Sequence, residues 1–544
     1  MEGEPMSKRQ GMTGSGWQGS ILAIALCLAA GTAAGAQQPA TAPQTNSPHA
    51  AEQVLTRITP EQASKLFSLV DELLQFSSQE TGLPIKSTVK RQLTTRAKVE
   101  SYLKEKIEED ESARRLQHGE IVLKKFGLLD RDFALKPFLL ALLKEQIEAF
   151  YDSKTKTVNL LDWVNIEEQK PVLAHELTHA LQDQHTDLEK WNDQTPSEVS
   201  HNSGEDSDHL ARDEMDTARE AVAEGQATAV MMDYILKPMG KSLIKDPEVM
   251  EFVKQQMLVS ENSPVLARAP LLLSESLLFP YREGLSFEQD VWMDKGQAAA
   301  FAGALDRPPT SSWEIINPLE YEKKHIPAVP LLPDIHPLVD KLYKSYDIGQ
   351  VGQLDLRILA QVFGGAAAAR DLVPAWDGGL YWAGQRRSTK TQADQASTKS
   401  LVLFYLSAWK NTASAQAFAL LYANELGRKY SGLKLDEAAE SSTPAGVEEE
   451  IYSTDEGPVL ITTRGKLVFV AESFDLELAR KLAALILDAQ GTGELRMAGA
   501  QPGDQGLSHG EEMREPLTAG LIRFFSNCGV MKAAVEAGIK GAAR

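Results

Sequence analysis

Apolar residues recur at helical spacing early in the chain. Leu66, Val70, Leu73 and Leu74 share one face, and Pro60 after Thr59 marks a helix start. The helical pattern continues to about Gln146, with Ser101–Arg115 so charged that it reads as a solvated helix. The pattern then changes. Ala149-Phe150-Tyr151-Asp152 and Thr157-Val158-Asn159-Leu160-Leu161 flank the polar turn 153–156, which predicts a β-hairpin. A helix follows through Pro171-Val172-Leu173-Ala174-His175-Glu176-Leu177-Thr178-His179, with Pro171 placed near its first turn. Asp187–Asp216 is acid-rich, including Glu205, Asp206 and Asp208. It reads as a solvated loop, with a calcium site as the lesser alternative. A helix is expected from about Asp213 to Leu236, ending near Pro238.

Leu277–Gly284 and Arg307–Thr310 read as ordered loops, and a boundary is placed near Pro330–Pro337. Beyond it, Leu401–Leu406 and Val459–Val470 read as strands and Leu476–Leu487 as a helix. Trp376-Asp377-Gly378-Gly379 reads as a turn with a buried aromatic. The class expected is α+β: a mainly helical domain over 53–335 with a small edge-strand sheet, its N-terminal helical part 53–146, then a smaller α+β domain over 336–490. The tail 491–544 carries no assignment.

Charge and termini narrow the setting. A net charge of −20 argues against a nucleic-acid binder, whose mark is a basic face. Lys8 and Arg9, the apolar run Ile21–Ala30 and Ala34-Gly35-Ala36 form a secretory signal peptide over 1–36, with cleavage expected after Ala36. An Ala-, Pro-, Gln- and Thr-rich linker, 37–52, follows. No later segment reaches membrane-spanning length, so a secreted or periplasmic mature chain is expected. Cys528 is its one cysteine, which excludes a disulfide framework and a cysteine zinc site.

The chemistry concentrates at His175-Glu176-Leu177-Thr178-His179. Positions i and i+4 share a helix face, so both histidines can point at one metal ion with Glu176 beside them. Leu173, Leu177, Ala180 and Leu181 lie on another face, which the helix can bury. A hydrolytic zinc wants three protein ligands and one open position. His185 matches a longer motif in spacing, but that motif turns at a Gly where Gln182 stands. If the helix continues, His185 lies about 15 Å along the axis from His175 and about 80° around it.

The other candidates lie on the later helix. Glu224 falls amid the apolar stripe Ala221, Ala227, Thr228, Met231 and Ile235, where a carboxylate is costly unless paired or metal-bound. Gly225 beside it lets a second helix approach. Glu220, one turn back, is the alternative ligand or an outer acceptor, and for both residues a buried ion pair with Arg219 or Arg282 is the bland reading. Asp183, four residues beyond His179, is a candidate to hydrogen-bond a ligand histidine from behind, with a surface Asp as the bland reading; Tyr281 and His336 are candidate oxyanion donors.

The His-Glu helix followed by Ala223-Glu224-Gly225-Gln226-Ala227 resembles the gluzincin group of zinc metallopeptidases. More specifically it is similar to a set of uncharacterised secreted bacterial proteins, over about residues 145–320. The resemblance implies a zincin-like fold, a Zn2+ site of His175, His179 and Glu224, and Glu176 as general base. It implies a peptide or protein substrate. The alternatives are an inactive zincin-fold envelope or binding protein and a zinc hydrolase acting on a non-peptide bond. The usual Pro-Pro segment of related families continues differently here, as Thr310-Ser311-Ser312-Trp313-Glu314.

Overall fold

The first helix begins as its cap dictates. Thr59 Oγ1 accepts from the Gln62 amide at 3.2 Å, and Gln62 Oε1 accepts from the Thr59 amide at 2.7 Å. The computed structural model describes residues 58–490, apart from 109, 148, 193, 195–201, 244–245, 259–262, 326–328 and 438–447, together with 517–526. The stretches expected to be a signal peptide (1–36) and a linker (37–52), and most of the tail, lie outside the described residues.

The N-terminal helices are α1 (Pro60–Thr81), α2 (Arg96–Glu108), α3 (Asp110–Phe126) and α4 (Leu135–Gln146). Leu66, Val70, Leu73 and Leu74 are all buried. Within the charged stretch Leu103 and Ile107 sink fully into the core, so it is not solvated on every face. The helical pattern is also broken by strand β1 (Lys90–Thr94), which pairs in parallel with β3 (Thr157–Leu161). Its sequence has Leu93 as its one apolar residue and no apolar alternation, so the tertiary pairing defines it. β3 also pairs antiparallel with β2 (Phe150–Asp152), placing Tyr151 opposite Val158 as the expected hairpin requires.

Helix α5 (Ile166–Thr186) carries the His-Glu motif. It starts earlier than expected: Asn165 caps it by accepting from the Glu167 amide, so Pro171 lies inside the helix rather than in its first turn. Its burial is wider than a two-faced helix would show. All of Pro171–Thr178 and Ala180–Asp183 is buried, because α1, the hairpin and the later helix Met215–Leu236 surround it.

The acid-rich stretch folds as α6 (Leu188–Asn192) and α7 (Ser203–Arg212). Asp206, Asp213 and Asp216 are buried, not solvated. Their partners are remote in sequence: Asp206 meets His336 at 3.1 Å, and Asp213 accepts from the Gln350 amide at 2.6 Å. Helix α8 (Met215–Leu236) ends before Pro238 as expected. After α9 (Pro247–Leu258) comes α10 (Leu271–Lys295), which runs straight through Leu277–Gly284, with Pro280 inside it. That segment is therefore helix and not loop.

The C-terminal part is built on a seven-stranded antiparallel sheet. Its strands are β4 (Tyr343–Gln350), β5 (Trp376–Arg386), β6 (Leu401–Trp409), β7 (Lys434–Leu435), β8 (Glu448–Thr454), β9 (Gly457–Arg464) and β10 (Leu467–Glu472). The order is β4-β5-β6-β10-β9-β8-β7. The stretch read as one strand over 459–470 is the β9-β10 hairpin, and Trp376–Gly379 opens β5 with a bulge. Strand alternation divides the core. Tyr381, Leu403, Tyr405 and Val470 join the apolar cluster of the helical region, while Leu380, Trp382, Phe404 and Phe469 join the cluster under the helix Leu476–Ala489. The class is α+β. No helix among the described residues is long and apolar enough to cross a membrane.

Candidate metal centre

Two helix contacts place the candidate ligands. Gly225 of α8 meets Gly284 of α10 so closely that a Cβ on Gly225 would lie 2.3 Å from the Gly284 carbonyl carbon. A Cβ on Gly284 would lie 2.0 Å from the Ala221 oxygen. Glycine at both positions is what brings these backbones together, and it sets Glu224 and Tyr281 on adjoining turns. From the other side, α5 packs against α8 and is held by α1, where Ser77 donates to the Ala174 carbonyl at 3.0 Å.

His175, His179 and Glu224 are thereby brought to one point. His175 Nε2 lies 3.1 Å from Glu224 Oε2 and 3.0 Å from His179 Nε2; His179 Nε2 lies 3.5 Å from Glu224 Oε2. Ligands about 2.0–2.1 Å from a tetrahedral zinc stand about 3.3 Å from one another. The three edges bracket that value, and the donor set N, N, O suits zinc. Among the described residues this is the one group with such convergence. In the acid-rich stretch no three carboxylates converge in this way among the described residues.

The electrostatics are those of a cation cradle. Burial opposes charge on Glu224, yet the two histidines outweigh it and hold the carboxyl down at about 2. Burial likewise opposes charge on His179, but the Glu224 and Glu176 carboxylates raise it to about 9; in His175 burial prevails and lowers it to about 4. The cluster favours one positive charge beside one carboxylate. His175 is fully enclosed and the Glu224 side chain is 4% exposed, while that of His179 is 13% exposed, so solvent approaches from the His179 side.

The surroundings sort the other candidates. Glu176 is buried on the same helix, close enough to bias both His179 and Tyr281. Tyr281 stacks near His175, ring centroids 6.2 Å apart. Burial first, then the Glu224 and Glu176 charges, push its hydroxyl well above the usual tyrosine range, so it stays a neutral donor. His175 Nδ1 is buried and has no hydrogen-bond partner among the described residues. Glu220 is apart from the cluster and accepts from Asn192 at 3.0 Å. His185 is also apart, paired with Asp306 at 2.9 Å. Neither arginine reaches the pair of glutamates: Arg219 donates to the Trp191 carbonyl, and Arg282 pairs with Glu275 and Glu283. His336 is engaged by Asp206 and Asp340, each at 3.1 Å. Asp183 does not reach a candidate ligand histidine. It accepts from Tyr151 at 2.8 Å and from Lys156 at 2.9 Å, and so ties α5 to the hairpin.

Two residues at the site escape a reading by motif. His179 Nδ1 is 2.8 Å from Gln182 Oε1, and Gln182 Nε2 donates to the Ala223 carbonyl at 3.0 Å and to Gln226 Oε1 at 2.9 Å. The signal available in the sequence was a pair of amides on otherwise apolar helix faces, Gln182 one turn past His179 and Gln226 two residues past Glu224. Compared with protein-family models, with curated proteins and with solved structures, the chain matches none.

Proposed function

We propose that this chain is a zinc-dependent metallopeptidase of the gluzincin kind, zincin-like in its helical part, acting outside the cytoplasm on peptide or protein substrates. The observation that carries the reading is the convergence of two imidazole nitrogens and one carboxylate oxygen at 3.0, 3.1 and 3.5 Å, with Glu176 on the same helix. His175, His179 and Glu224 would hold the zinc. When bound, that ion supplies Lewis acidity toward a carbonyl oxygen and a water acidified to a pKa of about 7.

The chain's own residues do the rest. Glu176 takes a proton from the attacking water and returns it to the leaving amine. Tyr281, neutral and buried beside Glu224, donates toward the oxygen that gains charge in the tetrahedral adduct. Burial of the cluster between α5, α8 and α10 lowers the local dielectric, which strengthens both interactions.

The test is digestion of a peptide library by the purified chain, with and without a chelator, beside Glu176→Gln. Cleavage abolished by the chelator and by Glu176→Gln supports the reading. Zinc binding without cleavage of any peptide favours the inactive-binder or non-peptide alternative.

A further inference from the structure

The amides of Gln182 and Gln226 form a chain in which every donor has one direction. Gln226 Nε2 donates to the carbonyls of Ala300 at 2.9 Å and Phe301 at 3.1 Å. Both belong to the π-helical turn Ala299–Gly303, and such turns widen the backbone ladder and free carbonyls for other donors. Turning the Gln226 amide over would set its oxygen against two carbonyl oxygens, so Oε1 must face Gln182. Gln182 Nε2 therefore donates to Gln226 Oε1 at 2.9 Å and to the Ala223 carbonyl at 3.0 Å. Its own Oε1 is left facing His179 Nδ1 at 2.8 Å. An amide oxygen only accepts, so His179 Nδ1 must carry the proton. Once a metal ion displaces the second proton, the neutral ring then presents its Nε2 lone pair to the cluster, as a metal ligand requires. All of this is internal: Gln182 and Gln226 are fully buried.

The geometry points to Gln182 as a positioning residue that selects the metal-binding tautomer of His179, with Gln226 and the π-helical turn fixing the direction of its amide. This rests on the zinc reading above. Among the described residues no side chain or backbone group accepts from His175 Nδ1, so the amide chain acts on His179. The position where a longer zinc motif would have Gly to turn the chain is here used to continue the helix and hold a ligand.

Zinc affinity by chelator competition tests this in the purified chain, Gln182→Met and Gln182→Glu. Methionine matches the length and lacks the acceptor, so a loss of about 10–100-fold is expected, the usual cost of removing an outer-shell partner. Glutamate keeps the acceptor for His179 but loses both donors, facing the Ala223 carbonyl and Gln226 Oε1 instead. It is expected to lower the melting temperature yet bind zinc within a few-fold of the parent. A purely structural Gln182 would make affinity follow stability in both variants, which overturns the inference. So does parental affinity in Gln182→Met. If Gln182→Met does not fold, Gln226→Met breaks the same chain one link back and is expected to weaken binding several-fold; unchanged affinity there overturns it too. A folded parent that binds no zinc refutes the metal reading itself and the inference with it, whereas failure of the variants against a zinc-binding parent refutes the inference alone.

Discussion

Gly225→Ala sets two known effects against each other at the site's tightest contact. In a helix interior, alanine is favoured over glycine by about 1 kcal/mol. At Gly225 the added methyl would sit 2.3 Å from the Gly284 carbonyl carbon and 2.4 Å from its oxygen. Ordinary carbon contacts need about 3.5 Å or more, so α8 and α10 must separate by about 1 Å. Both neighbours are backbone and cannot rotate away. Overpacking of this kind costs about 1–3 kcal/mol, with more where backbone must move. The strain wins, and a net destabilisation of about 1–2 kcal/mol is expected. Gly119 in α3 is the control, because a methyl there meets nothing within 4 Å. Gly119→Ala is expected to stabilise by about 0.5–1 kcal/mol. Urea unfolding followed by circular dichroism reads both signs. Because Glu224 adjoins Gly225, zinc affinity should fall in Gly225→Ala and hold in Gly119→Ala. Stabilisation of comparable size at both sites would refute the claim that the glycine contact sets the helix spacing.

Three further outcomes follow from the chemistry. Glu176→Gln should retain the metal and lower peptide hydrolysis by about 10²–10⁴-fold, measured as kcat/KM, since only the proton carrier is removed. Burial raises the Glu288 carboxyl to about 8, against about 4.3 unfolded. Between those values the unfolded chain is ionised there and the folded chain protonated, so this group's contribution falls as pH rises and levels off above about 8. Glu288→Gln should therefore gain on the parent in urea stability from pH 5 to pH 9, and a gap independent of pH would count against it. Glu472 is wholly buried with Lys429, Tyr422 and Tyr430. Glu472→Gln leaves the Lys429 ammonium without its counter-charge and should cost about 3–5 kcal/mol in denaturant titration.

The site was legible in the sequence where local periodicity and chemistry coincide. The i, i+4 spacing of His175 and His179 survives as a shared face. Glu224 was conspicuous because a carboxylate amid Ala221, Ala227 and Met231 needs a partner, and Gly225 correctly signalled a close helix. What escaped depends on contacts across long sequence separations. β1 is a polar segment made a strand by its pairing with Thr157–Leu161. Pro280 and Gly284 look like loop residues, yet the contact with Ala221 and Gly225 makes glycine necessary within a helix. The acids Asp206 and Asp213 look solvated until His336 and Gln350 arrive from the C-terminal part. The segment Leu517–Phe525, unassigned from sequence, is buried at Leu517, Thr518, Leu521, Ile522 and Phe525, with the helix Ala519–Ser526 packed on α8 and α10.

The central claim is that His175, His179 and Glu224 together hold one zinc ion, and metal content of the purified chain tests it most directly. Elemental analysis should find about one zinc per chain, bound in the parent and in Glu220→Gln and lost in His175→Ala and Glu224→Gln. A folded parent without zinc, or Glu224→Gln retaining it while Glu220→Gln loses it, would contradict the assignment.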